Sequence, residues 1–240
     1  MKLDLLVFAA HPDDAELSCS GTILSFTSKG RKVGIVDLTE GELGTRGTVE
    51  DRRAEAADSA RILGLSAREN AGLPDGFFSE DNDALLKVIY FIRKYQPEII
   101  ICNAVLDRHP DHGNGGALVS RACFLSGLRK IETSDNGENQ EVWRPLNLYH
   151  YIQDRYLKPD FIVDVTPYWE RKVQSVKAFK TQFYDPSSNE PVTYISNPDF
   201  LDFIEARARG FGHDIGVKYG EGFTTDRNRM VGIKDLSDLI

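Results

Sequence analysis

The chain predicts an α/β fold, a mostly parallel, twisted sheet flanked by helices, on two observations. Three compact apolar runs, residues 3–9, "KVGIVDL" (32–38) and "EIIICNAV" (98–105), suit strands buried on both faces. Segments of helical spacing lie between them, and strands alternating with helices of this size imply right-handed βαβ crossovers. With 240 residues, 41% of them hydrophobic, and no internal linker rich in Pro, Gly or Ser, one domain over residues 1–240 is expected.

Residues 3–9 read as the first strand and not as a leader, because Asp4 interrupts the apolar run and its small-residue end continues into His-Pro-Asp-Asp. Residues 15–28 carry helical spacing, with Leu17, Ile23, Leu24 and Phe26 toward the core and Gly30 as the stop. After the second strand, "TEGELGTRG" (39–47) is too rich in glycine for regular structure. Thr48 then caps a helix, with Asp51 in the capping-box position, and Gly64 ends it after Leu63. Residues 83–95 form an amphipathic helix closed by Pro97; the third strand and a helix over 112–125 follow. Beyond the polar loop "SDNGENQE" (134–141) the pattern loosens. Strands are expected over 146–152 and 161–165, and helices over 167–180 and 200–211. Between those helices runs a Pro/Ser/Asn loop, 184–199, open to reading as a lid, a subunit contact or a solvated excursion.

A net charge of −8 argues against nucleic acid or an anionic membrane surface as partner. No apolar stretch approaches a membrane span. Cys19, Cys102 and Cys123, an odd number at no metal-type spacing, read as buried, reduced thiols of a cytoplasmic protein.

His-Pro-Asp occurs twice, each time behind an apolar strand, in "VFAAHPDDAE" (7–16) and "LDRHPDH" (106–112). Ligands of open parallel sheets collect outside the carboxyl ends of the strands, so neighbouring strands would bring these loops together. His11 and Asp14 are three apart, and one helical turn aims both at one point; His112 offers a third donor from the opposing loop. Two imidazoles and a carboxylate are a normal Zn2+ set with a fourth position open, and they also accept Fe2+, Co2+ or Mn2+. Proline after each histidine favours a defined exit into a helix. Asp13, next to a ligand but pointing elsewhere, is the expected general base. His109 is expected beside the metal, protonated to steady an oxyanion or to feed a leaving amine, with Asp111 orienting its ring. Read singly, either triplet is equally a helix start or a polar loop. The pair together accounts for His112 and Asp14.

Arg46, Arg52 and Arg108 lie at the same end, where guanidinium groups fit an anionic substrate group or pair with Glu42, Glu50 or Asp107. His150 and His213 read as core or surface residues. Asp37, at the end of the second strand, is reminiscent of a ribose-binding acid, so a nucleotide-binding module is a competing reading; HPDD in place of G-x-G-x-x-G leaves it without a phosphate cradle.

"AHPDDAE" with "RHPDH", continued through "VDLTEGELGTRGTVEDRRAEA", "ILGL", "GLPDG" and "YGEGF", resembles the LmbE/PIG-L family of zinc-dependent N-acetylglucosamine deacetylases over most of the chain. Within it the likeness points to the bacillithiol-biosynthesis enzymes, which deacetylate N-acetylglucosaminyl-malate. The alternative is another GlcNAc conjugate, a sugar-thiol precursor or a chito-oligosaccharide. The resemblance implies a Rossmann-like fold with a less regular C-terminal portion and one Zn2+ at His11, Asp14 and His112. It implies Asp13 as base, His109 as a second catalytic histidine and Arg52 near the sugar, and it leaves Arg108 as first choice for malate. Some relatives bind the oxyanion with a C-terminal tyrosine; here Phe200 falls at the corresponding place and Tyr194 lies nearby. Relatives are commonly oligomeric, so a homo-oligomer is among the implied states.

Overall fold

The computed structural model describes residues 1–183 and 185–226; Tyr184, the first residue of the long loop, and residues 227–240 lie outside the described residues. In chain order the elements are β1 (Leu5–Ala9), α1 (Asp14–Thr27), β2 (Val33–Asp37), α2 (Val49–Leu63), β3 (Ala67–Asn70), α3 (Asn82–Tyr95), β4 (Ile99–Cys102) and α4 (Pro110–Leu125). There follow β5 (Ser134–Asp135), β6 (Glu138–Asn139), β7 (Asn147–Tyr151), β8 (Phe161–Asp164), α5 (Trp169–Lys177), α6 (Phe200–Asp214) and β9 (Gly220–Thr225).

Seven strands form one sheet in the order β3-β2-β1-β4-β7-β9-β8. The first five are parallel, while β9 runs antiparallel to both β7 and β8. The chain therefore steps outward from β1 to β3, returns through α3, and lays β4 against the other side of β1, with Leu5 opposite Ile99 and Val7 opposite Ile101. This reversal puts the carboxyl ends of the two motif-bearing strands side by side, where open α/β sheets form their crevice.

The uninterrupted apolar runs are explained by burial on both faces. Leu6, Phe8, Val36 and Ile100 pack with residues of α3 and α4. Leu5, Val7, Ile35 and Ile101 face the other way, against Ala15, Cys19 and Ile23 of α1. A third cluster, including Val176, Phe179, Phe200 and Ile204, fastens the C-terminal helices. All three cysteines are buried.

Thr48 and Asp51 form the expected capping box. Two strands of the seven-stranded sheet escape the sequence pattern. β3 reads Ala-Arg-Glu-Asn, an edge strand whose Arg68 and Glu69 are held by ion pairs instead of by apolar burial. β9 is rich in glycine and threonine and carries little hydrophobic signal. The polar loop over 134–141 holds a two-strand hairpin, β5–β6, turned by Asn136-Gly137.

Candidate active site

Each triplet leaves its strand and enters a helix within a few residues. His11 and Pro12 follow β1, Asp13 is the N-cap of α1 and Asp14 its first residue. Asp13 has φ 122° and ψ −24°, outside the regions ordinary residues occupy, so the surrounding structure holds it under strain. On the β4 side His109 is the N-cap of α4 and Pro110 opens it. Asn103, just past β4, ties the loops together: its Oδ1 accepts the Ala10 N–H (2.8 Å) and its Nδ2 donates to Asp14 Oδ2 (3.0 Å).

Asp14 lies between the two imidazoles, 3.6 Å from His11 Nδ1 through Oδ2 and 3.1 Å from His112 Nε2 through Oδ1. Donors of one tetrahedral zinc stand roughly 3.3 Å apart, so this spacing suits a shared ion. The remaining nitrogens are held as metal-binding histidines are held, against carboxylates. His11 Nε2 lies 3.0 Å from Asp75 Oδ1 and 3.3 Å from Asp111 Oδ2, and His112 Nδ1 lies 2.5 Å from Asp107 Oδ2. His11, Asp75 and Asp111 also meet within 4.8 Å, but there the acids accept the Leu43 and Gly76 amides and only one imidazole is present. The imidazoles of His11, His109 and His112 likewise offer donor atoms within 4.8 Å of one another, with Asp14 set against His11 and His112, so this cluster is the candidate site for a divalent ion. Burial works against the Asp14 charge, yet His112 and His11 outweigh it and hold its carboxyl well below the usual range.

Asp13 is buried beside this centre, and its Oδ2 has no hydrogen-bond partner among the described residues. Burial raises its pKa to about 7, against the pull of Arg52, whose Nη2 is 3.9 Å away. His109 stands in the same cluster, its ring centroid 4.8 Å from that of His11 and 5.2 Å from that of His112. Its pKa is lowered, first by burial and then by those two imidazoles, so the expected protonated ring gives way to a neutral one. Its Nδ1 accepts the Asp111 N–H (3.3 Å), which leaves the proton on Nε2. Asp111 consequently orients His109 through its backbone; its carboxylate serves His11.

The arginines divide. Arg52 donates to the Pro12 carbonyl (2.9 Å) and to Gln182 Oε1, bracing the first triplet from behind. The loop at Gly41 (φ 67°) presses on it so closely that a Cβ there would lie 2.8 Å from Arg52 Nη1. Arg46 is not brought to the site: it is buried and donates to the Thr181 and Pro191 carbonyls and to Ser188, where it pins the 185–199 loop. Arg108 donates to Asp154 Oδ2 (2.9 Å) and lies 4.1 Å from the Tyr194 ring centroid, and the Tyr194 hydroxyl donates to Asp154 Oδ1 (2.8 Å). These residues form the rim of a cavity of about 280 Å³, whose apolar wall includes Leu17, Leu43, Ile195, Phe200 and Ile204. The 185–199 loop thus supplies part of the cavity wall.

Asp75, Asn103 and Gln153, which donates to Asp14 Oδ1 (3.0 Å), carry no role in the sequence reading, and Asp107 enters it only as a partner for an arginine. "GLPDG" marks the stretch that holds Asp75, but only the fold brings it to His11. His150 is a core residue, its Nδ1 2.7 Å from the Asn103 carbonyl, and His213 is exposed. Asp37 is buried in an ion pair with Arg68 (2.9 Å), which takes away the proposed ribose ligand.

Residues 6–123, both triplets included, match the family model for PIG-L, GlcNAc-PI de-N-acetylase. The crystal structure of the conserved protein TT1542 from Thermus thermophilus is similar at 33% identity and TM-score 0.84, over 97% of this chain and 99% of that one. Diacetylchitobiose deacetylase from Thermococcus kodakarensis is 27% identical over 91% of this chain and 81% of its own length. The N,N'-diacetylchitobiose deacetylase structure from Pyrococcus horikoshii aligns at 26% identity and TM-score 0.81, over 98% of this chain and 88% of that one. A 4-oxalmesaconate hydratase from Pseudomonas putida is 27% identical over 74% of this chain and 73% of its own length. Among the described residues no helix is long and apolar enough to cross a membrane. With both motifs inside the matched region and the same fold along the whole chain, this protein belongs to the PIG-L (LmbE) family of deacetylases.

Proposed function

We propose that the protein hydrolyses the acetamide of a GlcNAc conjugate to acetate and a free amine. The observation that carries this reading is the pair of imidazoles sharing one buried carboxylate, each backed by a further acid, with Asp13 beside them, whose Oδ2 accepts no hydrogen bond among the described residues. His11, Asp14 and His112 would hold Zn2+, or Fe2+ in its place, and such an ion supplies a Lewis acid for the acetyl carbonyl and a lowered pKa for attacking water.

Asp13, with its carboxyl near pH 7, takes the proton from that water as the new C–O bond forms. As the C–N bond breaks it returns that proton to the departing nitrogen, and the second proton of the water passes from the new carboxyl group to the amine or to solvent, so acetate and the protonated amine are the balanced products. His109, neutral with its proton on Nε2, donates a hydrogen bond to the developing oxyanion. Arg52 keeps the Asp13 turn in place.

For the substrate, support goes to a chito-oligosaccharide or similar neutral conjugate over N-acetylglucosaminyl-malate. Arg46 faces the 185–199 loop, and Arg108 is already neutralised by Asp154, so two of the three guanidinium groups expected for malate are committed. The rim offers instead an aromatic ring, Tyr194, beside hydroxyl, carboxylate and amide groups, which suits a sugar face and its hydroxyls.

The test is product analysis by mass spectrometry on N,N'-diacetylchitobiose, GlcNAc-malate and GlcNAc-inositol, with and without chelator. Acetate release from diacetylchitobiose, abolished by chelator and restored by Zn2+, is the expected result. Tenfold preference for the malate conjugate would reverse the substrate reading. No acetate from any of them with metal restored would remove the deacetylase reading.

A further inference from the structure

The reaction above leaves part of its own cavity unexplained, one helical turn along α1 from Asp14. There Ser18 is buried and lines the cavity, yet its hydroxyl has no partner among the described residues. Arg207 of α6 lines the same wall. Its Nη2 donates to the Leu17 carbonyl (3.1 Å) and its guanidinium carbon lies 5.8 Å from the Phe203 ring centroid. Nε and Nη1 have no hydrogen-bond partner among the described residues, and Arg207 takes part in none of the ion pairs formed there.

The neighbouring cations are engaged, Arg52 by Pro12, Gln182 and the nearby Asp13, and Arg108 by Asp154. Burial pulls the Arg207 pKa down to about 10, with Asp154 and Asp107 opposing from beyond ion-pair range, so it stays protonated at neutral pH. A partly desolvated cation with open donors, next to an unsatisfied hydroxyl, is costly until an anion engages both. Leu17, Phe200 and Ile204 surround the position with hydrocarbon, which suits an anion with a small apolar end.

We propose that Arg207 and Ser18 form a carboxylate-binding subsite inside the cavity, and that it receives the acetate the reaction releases. An open guanidinium N–H of Arg207 and the serine hydroxyl take the two carboxylate oxygens, while the methyl group meets Leu17 and Ile204. Acetate then has a position away from the reacting centre, and the amine is free to leave. The identity of the anion rests on the deacetylase reading; the donors are there whatever the reaction. An acidic group on the substrate is the other source of the same chemistry.

The experiment is a titration of 13C-acetate, followed by NMR, into the metal-loaded full chain and its Arg207→Gln, Arg207→Lys and Ser18→Ala variants. Acetate inhibition of diacetylchitobiose hydrolysis is measured alongside. Arg207→Gln is expected to weaken acetate binding on the order of tenfold, Arg207→Lys to recover part of it, and Ser18→Ala to weaken it about threefold. Unchanged affinity in Arg207→Gln, with melting temperature and metal content preserved, overturns the subsite. Should that variant not fold, unchanged affinity in both Arg207→Lys and Ser18→Ala does the same. A loss of kcat/KM confined to GlcNAc-malate, with acetate affinity untouched, moves the carboxylate to the substrate and overturns the product assignment. Acetate binding that depends on Arg207 in a protein that deacetylates nothing sustains the subsite and removes the reaction.

Discussion

Asp13 and Asp14 are adjacent and chemically identical, yet the fold gives them opposite surroundings. Asp14 is gripped by Asn103, Gln153 and two imidazoles, which hold it ionised; Asp13 has an oxygen that accepts no hydrogen bond among the described residues and a carboxyl raised to about 7. Asp13→Asn keeps the shape and leaves all three proposed ligand side chains in place, so metal content should stay near one equivalent while kcat falls by about 10²–10⁴. Metal analysis beside steady-state kinetics checks this, and loss of the metal together with the activity would show Asp13 to be structural. His150 makes a different kind of prediction. Burial lowers its pKa from 6.5, against the Asn103 carbonyl bond and Asp226. The unfolded chain then binds more protons than the native one below about pH 6.5, so its contribution to stability is complete above that pH and is lost as pH falls toward the depressed value. His150→Asn keeps an N–H for the Asn103 carbonyl but cannot titrate. Its melting temperature should therefore fall less between pH 7.5 and 5.5 than that of the wild type, and equal falls would refute the assignment. The clustering of His11, Asp13, Asp14 and His112 was legible because residue type and spacing announce it. Asp75, Asp107 and Gln153 were not, since a carboxylate or amide that steadies another side chain leaves no mark until the fold sets it alongside.

Elements were legible wherever local chemistry fixes them. β1, β2 and β4 announce themselves because both their faces are buried, and α2 because Thr48 and Asp51 cap it reciprocally while Gly64 ends it. The cap gives a clean test: Thr48→Ala removes the hydroxyl that accepts the Asp51 N–H (3.1 Å) and should cost about 1 kcal/mol, read by denaturant titration, with little change in activity. A loss below about 0.3 kcal/mol would mean that tertiary packing of α2, and not its cap, sets its start. β3 and β9 were hidden for opposite reasons. β3 is polar because its side chains serve ion pairs. β9 is glycine-rich because α6 packs against it: a Cβ on Gly222 would lie 2.9 Å from the Phe211 ring. Neither pattern is the alternation by which a strand is usually recognised.

At the scale of the molecule, the chain reversal between β1 and β4 builds the site, and a buried ion network keeps that crevice in register. Glu16 lies in the first turn of α1, Asp37 at the end of β2, Arg68 in β3 and Ser59 in α2. Arg68 bonds Glu16 (2.5 Å) and Asp37 (2.9 Å), and Ser59 donates to Glu16 (2.6 Å). Four elements therefore meet two residues behind Asp14, the proposed metal ligand. Burial disfavours the Arg68 charge, but Asp37 and Glu16 more than offset it and raise its pKa. Such a network adds little over a well-packed apolar substitute, but removing one partner is expensive because the others stay charged and buried. Arg68→Met, which keeps most of the volume, strands two carboxylates at once. It should cost about 3–5 kcal/mol, which for a chain of this length is a melting-temperature fall of roughly 10 °C. Adding Glu16→Gln and Asp37→Asn to Arg68→Met should then raise the melting temperature again, since the uncompensated charges are gone. That recovery distinguishes electrostatic stranding from lost packing, because a packing defect at the substituted methionine would persist in the triple variant. An Arg68→Met melting temperature within about 2 °C of the wild type would show that water reaches these acids, and that the helix packing alone holds the two strand ends together.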